Sequence, residues 1–351
     1  MHWSREFSIG RRQVGDGHPA YIIAEIGSNH NQSLARAKEL IEMAKEAGAD
    51  AAKFQSLRYD KLYRDANAPA GIQALFRQIE LTEQWHLELA EHCRRLDIDF
   101  FSAPTYPEAV DWLQKAGAEV IKVASPQFGL YPEVLDAAIN TGKPLIMSAG
   151  LSGYGEIEEV LRHCQRREAR DLVLLHCVSQ YPTPPANGNL RVIQTLRQAY
   201  GCLTGYSDHT LGIHFPIAAV ALGACVIEKH FTPDRNLPGP DHHFAIEPQE
   251  FKAMVQGIRD IEVGLGDGIK APLSDWERQH RENITMKLVV DKAVPAGAAI
   301  TAKALTFRRG DGGIPRHQLE LATQFRLKKD RQLEAGDLVQ WQDLEFNDHD
   351  A

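Results

Sequence analysis

The chain is poor in cysteine. Its five cysteines, Cys93, Cys164, Cys177, Cys202 and Cys225, are scattered, odd in number and form no C-x-x-C pair. That disfavours a disulfide framework and a cysteine zinc site, and predicts reduced, mostly buried thiols in a cytoplasmic protein. No apolar run approaches the ~18 residues a membrane span needs. The opening residues, Met1 to Glu6, hold no apolar h-region, so no secretory signal is expected. Positive charge is also in deficit: the 351 residues carry 39 Lys+Arg against 47 Asp+Glu, a formal net charge of −8. A general nucleic-acid binder, which draws its affinity from phosphate neutralisation, is thereby disfavoured. A local basic pocket for a small anion is not. A G-x-G-x-x-G loop is absent after the first apolar β-rich run.

What is present is alternation. From residue 20 to about 265, apolar β-rich runs alternate with amphipathic helical stretches. Strands are expected at Ala20–Ile26, Ala51–Gln55, Asp99–Ala103, Val120–Ala124, Pro144–Ser148, Leu172–Val178, Leu203–Ser207 and Cys225–His230, each followed by a helix. Right-handed βα crossovers give a parallel sheet, and eight of them in ~250 residues is the size of an α/β (β/α)8 TIM barrel. An open doubly wound sheet is the alternative. The segment Leu57–Glu80 is too long for a simple βα loop and is a candidate lid over the barrel mouth. After Gly264 the pattern breaks, passes through a polar stretch from Lys270 to Asn283, and becomes β-like from Met286. Apolar runs at Leu288–Val290, Leu305–Phe307 and Leu338–Trp341 and a short helix at Gln318–Thr323 complete it. The expected division is a barrel domain over 1–266, a linker over 267–285 and a small β-rich domain over 286–351. So small a domain is marginal alone and should pack against the barrel or another subunit.

Barrel active sites lie at the C-terminal strand ends. There the sequence places Glu25, Asn29 and His30; Lys53 and Gln55; Ser102; Lys122 and Ser125; Ser148; His176 with Ser179 and Tyr181; Ser207 and His209; then Glu228, Lys229 and His230, and Asp241 beyond. Barrel strands are buried on both sides, so a Lys or Glu inside one is costly without a partner or ligand. Each residue alone has a bland explanation. Lys53 and Glu25 would form an internal ion pair, His209 and His230 would be satisfied core histidines, and His176 would be structural. Lys122 and Lys229 would reach the surface if the register slipped by one. All of these would have to hold together at eight strand ends. Lysines and hydroxyls at one rim suit a phosphate and a carboxylate. Two histidines on adjacent strands suit a divalent metal with open water positions. A carboxylate such as Glu25 or Glu228 moves a proton or orients a water. The pattern indicates a metal-assisted enzyme acting on a small phosphorylated acid.

The segments Ile23–His30, Ala49–Gln55, His176–Pro184, Gly205–Thr210, Glu228–Thr232 and Gly239–His242 come in a recognisable order. They resemble the N-acetylneuraminate (sialic acid) synthase family, which includes legionaminic and pseudaminic acid synthases and spore-coat polysaccharide biosynthesis protein E. The tail from Met286 resembles that family's SAF (antifreeze-like) domain. The resemblance implies condensation of phosphoenolpyruvate with an N-acetylated amino-aldose, N-acetylmannosamine or a 2,4-diacetamido-trideoxyhexose. The products are a nine-carbon nonulosonic acid and phosphate, used for surface or spore-coat polysaccharide. It implies His209 and His230 as ligands of a divalent metal, Mn2+ first and Mg2+ or Co2+ next. Phosphoenolpyruvate would be bound by Lys53, Lys122, Ser125, Ser179 and Ser207. Glu25 would act at the reacting carbons, with Glu228 the second catalytic carboxylate. Tyr181, Asp241 and Arg309 would contact the sugar, Arg309 from the SAF domain of the other subunit in a homodimer. This sequence departs from the family pattern at Ser125-Pro126-Gln127, at Gln32 in place of a common glycine, and at Arg309-Gly310-Asp311. Two other functions fit the same residues: a class I aldolase with Lys122 or Lys229 as Schiff base, and a non-catalytic sugar-binding member of the family.

Overall fold

The computed structural model describes residues 2–64, 68–69 and 71–347, which form two compact units, 1–267 and 268–351. The first unit begins with an antiparallel hairpin of β1 (Glu6–Ile9) and β2 (Arg12–Gly15). The alternation then runs β3 (Tyr21–Gly27), α1 (Leu34–Glu46), β4 (Ala51–Ser56), the short helices α2 (Tyr59–Leu62) and α3 (Ile72–Phe76), and α4 (Glu83–Leu96). It continues with β5 (Asp99–Pro104), α5 (Pro107–Ala116), β6 (Ile121–Val123), α6 (Ser125–Phe128), α7 (Pro132–Asn140), β7 (Leu145–Ser148) and α8 (Tyr154–Arg166). It ends with β8 (Leu172–Cys177), α9 (Val192–Tyr200), β9 (Leu203–Asp208), α10 (His214–Ala221), β10 (Val226–His230) and α11 (Pro248–Leu265).

β3 to β10 form one parallel eight-stranded sheet in the order β5-β4-β3-β10-β9-β8-β7-β6, with the end strands β5 and β6 lying beside each other. This nearly closed ring with its outer helices is the expected (β/α)8 barrel. The helices form where apolar residues recur at helical spacing and polar groups cap the ends. In α1, Ser33 accepts from the Arg36 amide, and Ala37, Leu40, Ile41 and Ala44 are buried. Pro107 opens α5, and Gly117, in the left-handed conformation, closes it. The candidate lid, 57–80, contains α2 and α3, with Tyr59 and Tyr63 against Phe76; its residues 65–67 and 70 fall outside those described.

The second unit contains α12 (Asp275–Ile284), a hairpin of β11 (Met286–Val290) and β12 (Leu305–Arg309), α13 (Leu319–Ala322), and a second hairpin of β13 (Phe325–Leu327) and β14 (Leu344–Phe346). Leu288, Val290, Ile314, Leu327 and Val339 share its apolar core. Three features differ from the sequence expectation. The β1–β2 hairpin lies ahead of the first expected strand. The polar stretch after Lys270 contains a helix, opened by a capping box of Ser274 and Glu277. Leu338–Trp341 is not a strand: it makes one isolated bridge, Leu338 to Val289, while Val339 bonds to Leu288 and Ile314 through backbone alone.

The hairpin is fastened to the N-terminal end of the barrel by Arg12. Its guanidinium lies 3.1 Å from Asp50 Oδ1 and 3.1 Å from Asp99 Oδ2, and donates to the Asp97 carbonyl at 3.0 Å. Asp50 also accepts from the Ile22 amide, and Asp99 from the Tyr21 hydroxyl. Removing the cation leaves two carboxylates facing each other in a partly buried place. Arg12→Leu is expected to lower unfolding free energy by about 2–3 kcal/mol. Denaturant titration checks this; an unchanged midpoint would show that the hairpin is not held by charge.

Candidate active site

The barrel register assembles the site. Parallel pairing sets His230 opposite Glu25 and Glu25 opposite Lys53, while Glu228 pairs with Ser207, and Ser207 with Cys177. The register slips between Glu25 and Gly27. Gly27 has φ +53°, and a Cβ there would stand 2.9 Å from Asp241 Oδ2 and 3.2 Å from Glu25 Oε1. A bare backbone thus lets these two carboxylates flank the first strand end.

Four buried ionisable groups form the centre. Lys53 Nζ lies 2.7 Å from Glu25 Oε2 and 3.6 Å from Glu228 Oε2, and Lys122 Nζ lies 3.7 Å from the same Glu228 oxygen. Lys122 donates to Ser148 Oγ at 2.8 Å, Ser207 to Glu228 Oε1 at 2.9 Å, and Gln55 to Glu25 Oε1 at 2.8 Å. Oε2 of both glutamates has no aligned hydrogen-bond donor. The two carboxylates are pushed apart. Burial raises Glu25 to about 7; Lys53 opposes the rise and the Glu228 charge adds to it. Burial would also raise Glu228, but Lys122 and Lys53 outweigh it and hold this carboxyl well below the usual range. Burial lowers Lys122, whereas for Lys53 the two glutamates overcome burial and raise it. Glu228 is the fixed anion and Glu25 the group that exchanges a proton near neutral pH.

Beside this centre is a cradle of small polar groups. The Gly150 amide donates to Ser125 Oγ at 3.0 Å. A Cβ on Gly150 would lie 2.6 Å from Ser179 Oγ, 2.9 Å from Cys177 Sγ and 2.9 Å from Ser125 Oγ. Only glycine admits this convergence, which suits a phosphate. Pro126 sits in the first turn of α6, where an amide is unpaired in any case, so the Ser125-Pro126-Gln127 departure is accommodated by the fold.

His209 and His230 face each other with ring centroids 5.3 Å apart, and the Tyr181 ring lies 4.1 Å from that of His209. His209 Nδ1 bonds the Val178 carbonyl at 2.9 Å, which orients the ring. His230 Nδ1 is buried without a partner, and burial, with the charges of His209 and Lys53, pushes this group well down, so the ring is neutral. An oriented His209 and a neutral His230 facing it fit a divalent metal. Among the described residues no group of three or more His, Cys, Asp or Glu is placed to hold one, so an ion here would complete its shell with water or substrate.

Glu25, Lys53, Lys122, Ser125, Tyr181, Ser207, His209, Glu228 and His230 line one cavity of about 60 Å3. Ser179 joins through the cradle and Asp241 through Gly27. Arg309 is exposed at the end of β12 in the second unit. Lys229 requires a correction as an alternative Schiff-base lysine. It points to the other face of β10, bonded to Asp208 Oδ2 at 2.6 Å and the Thr210 carbonyl at 2.5 Å, as the period of two demands of a residue between Glu228 and His230. His176 also bonds elsewhere, to the Gly188 carbonyl. Gln55, Ser148, Cys177 and Gly150 are site residues to which the sequence reading gave no role. Gln55 shares the Lys53 face and Ser148 ends a strand, so both had a signal; the Gly150–Cys177 approach had none. A larger cavity of about 460 Å3 at the opposite barrel end is lined by Arg11, Arg12, Asp97 and Asp99, whose charges pair with one another.

The NeuB family profile matches residues 40–270. The N,N'-diacetyllegionaminic acid synthase of Campylobacter jejuni is 40% identical over 307 residues, 84% of this chain and 91% of that protein. The enzyme of the same name from Legionella pneumophila is 37% identical, over 96% of this chain and 98% of its own length. A crystal structure of N-acetylneuraminic acid synthetase from Leptospira borgpetersenii, in complex with citrate, superposes with a TM-score of 0.73 at 34% identity. It covers 81% of this chain and 98% of that one.

The two carboxylates should separate in stability measurements. Glu25 binds its proton more tightly when folded, so its penalty grows as pH rises from the unfolded value through about 7. Glu228 stabilises the fold throughout that window, because its loss comes only at acid pH. Glu25→Gln is therefore expected to gain stability relative to the native chain between about pH 5 and pH 8. Glu228→Gln is expected to lose about 3–5 kcal/mol at pH 5 and less at pH 8, because removing the Glu228 charge also removes part of what raises Glu25. Unfolding titrations at the two pH values check both; a Glu25→Gln difference from the native chain that does not grow with pH, or a Glu228→Gln variant as stable as the native chain at pH 5, would refute the assignment.

Proposed function

The chain belongs to the NeuB family, and we propose that it condenses phosphoenolpyruvate with an N-acetylated amino-aldose, forming a C–C bond and giving a nonulosonic acid and phosphate. The observation that carries this is the buried Glu25–Lys53–Glu228–Lys122 group opening onto the Ser125–Gly150–Ser179 cradle. Lys53, Lys122 and Ser207 serve the carboxylate and enol oxygen of phosphoenolpyruvate, and the cradle serves its phosphate. As the C2=C3 π bond of the enol breaks, C3 bonds to the aldehyde carbon, whose oxygen takes a proton from solvent. Water adds to the electron-deficient C2 and gives one proton to Glu25; the C2–O bond to phosphate then breaks as the C2 hydroxyl becomes the ketone, its proton leaving with the phosphate. Glu228 keeps both lysines cationic and aimed at the ligand. Tyr181 and Asp241 border the space left for the sugar. A divalent ion held by His209 and His230, with Mn2+ first choice over Mg2+ or Co2+, would polarise the aldehyde as a Lewis acid.

The second unit is read as the SAF domain, placing Arg309 on the acyl-amino group of a sugar bound to the other subunit of a homodimer, with the product entering surface or spore-coat polysaccharide. The acceptor is N-acetylmannosamine or a 2,4-diacetamido-trideoxyhexose, the latter favoured by the names of the two synthases above. Among the described residues no helix is long and apolar enough to cross a membrane.

Incubation with phosphoenolpyruvate, Mn2+ and each candidate aldose should give phosphate release that requires both aldose and metal, with a nine-carbon or longer keto acid in the mass spectrum. No product from any aldose would overturn the reading, and borohydride trapping of an adduct on Lys122 would replace it with an aldolase. In the active enzyme kcat/KM should rise with pH through about 7, the Glu25 value. Glu25→Gln should remove that limb and lower kcat by about 10²–10⁴-fold.

A further inference from the structure

The turn after β3 contains two consecutive non-glycine residues in the left-handed conformation, Asn31 at φ 47° and Gln32 at φ 54°. Glutamine in particular is strained there and persists only where its surroundings hold it. Their side-chain amides diverge. Asn31 Nδ2 donates to the Pro238 carbonyl at 2.9 Å, and Asn31 Oδ1 lies 3.3 Å from His242 Nε2. Gln32 Nε2 donates to two carbonyls, Arg77 and Glu80, at 3.0 Å each. In the same turn Ser28 donates to Asp241 Oδ2, from its hydroxyl at 2.8 Å and from its amide at 3.3 Å.

The topology gives these bonds a meaning. In the ring, β3 stands between β4 and β10. Gln32 reaches the segment that follows β4, and Asn31 and Ser28 reach the segment that follows β10. The cradle is built by the segments after β6, β7 and β8, on the far side of the ring. If phosphoenolpyruvate occupies the cradle side, the second substrate must approach over β4, β3 and β10. We propose that Asn31 and Gln32 are positioning residues for the acceptor sugar: a two-way brace that holds the segment after β4 and the Asp241 segment at a fixed separation across Glu25. This rests on the condensation reading, and it goes beyond it in assigning acceptor selectivity to a turn. Gln32 replaces the glycine common in the resembling family, so the half of the brace that grips residues 77–80 belongs to this chain and to relatives that carry a side chain there.

Glycine tolerates the left-handed conformation, so Asn31→Gly and Gln32→Gly remove the amides while leaving the backbone at ease. The experiment uses the full chain with Mn2+ and whichever N-acylated aldose the native enzyme turns over. Gln32→Gly is expected to speed amide exchange in residues 71–80, and Asn31→Gly in residues 234–244. Each should raise KM for the aldose about tenfold while KM for phosphoenolpyruvate changes less than about twofold. Unchanged exchange in both segments, or equal rises in the two KM values, would overturn the brace. If the native chain turns over no aldose, the condensation reading fails, and the exchange measurement still decides whether the turn braces the two segments.

Discussion

Everything at this site follows from placing two lysines and two glutamates inside a ring of strands where they are almost wholly buried. Desolvating four charges costs several kcal/mol each, and mutual attraction recovers that cost only with good geometry and further hydrogen bonds. Ser148, Ser207 and Gln55 supply the bonds. The balance is incomplete: one oxygen of each glutamate lacks an aligned donor, and Lys122 is pushed towards neutrality. A purely structural ion cluster gains nothing from that shortfall. A site for an anionic ligand does at Lys122, because an incoming phosphate or carboxylate favours the charged form that burial disfavours. Two lysines thus face the ligand space within a chain of net charge −8.

The same constraint divides the barrel in two. The segments after β6, β7 and β8 bring hydroxyls, a sulfur and a bare backbone close together, which suits one small, symmetric group. The long segments after β4 and β10, on either side of β3, are built for a larger and more varied partner. On the proposed reading, the half of the rim at β6, β7 and β8 holds the phosphate, and the half at β4, β3 and β10 faces the sugar. The departures from the family pattern follow this division. Pro126 is absorbed by a helix first turn beside the cradle, whereas Gln32 makes new bonds on the sugar side.

How much of this was readable in the residues depends on the range of the interaction. The eight barrel units were legible because buried parallel strands are nearly continuous apolar runs between glycine-closed helices, as at Gly48 and Gly117. Lys53, Lys122, Glu25 and Glu228 stood out because a charge within such a run demands a partner. Lys229 was separable in principle, since it alternates with Glu228 and His230. The strands β1, β2, β13 and β14 were not legible: three or four residues with mixed polarity carry too little pattern, and only tertiary packing makes them strands. Nor was the Gly150 cradle, which exists only because β6, β7 and β8 share one register.

The central claim is that the buried charge cluster and its cradle form a phosphoenolpyruvate site. Calorimetric titration of the full chain with phosphoenolpyruvate tests it directly, without an acceptor. Saturable binding is expected, weakened at least about tenfold by Lys53→Met and by Lys122→Met, each of which removes one charge-assisted contact. Undiminished binding in both lysine variants, or none in the native chain, would contradict the account.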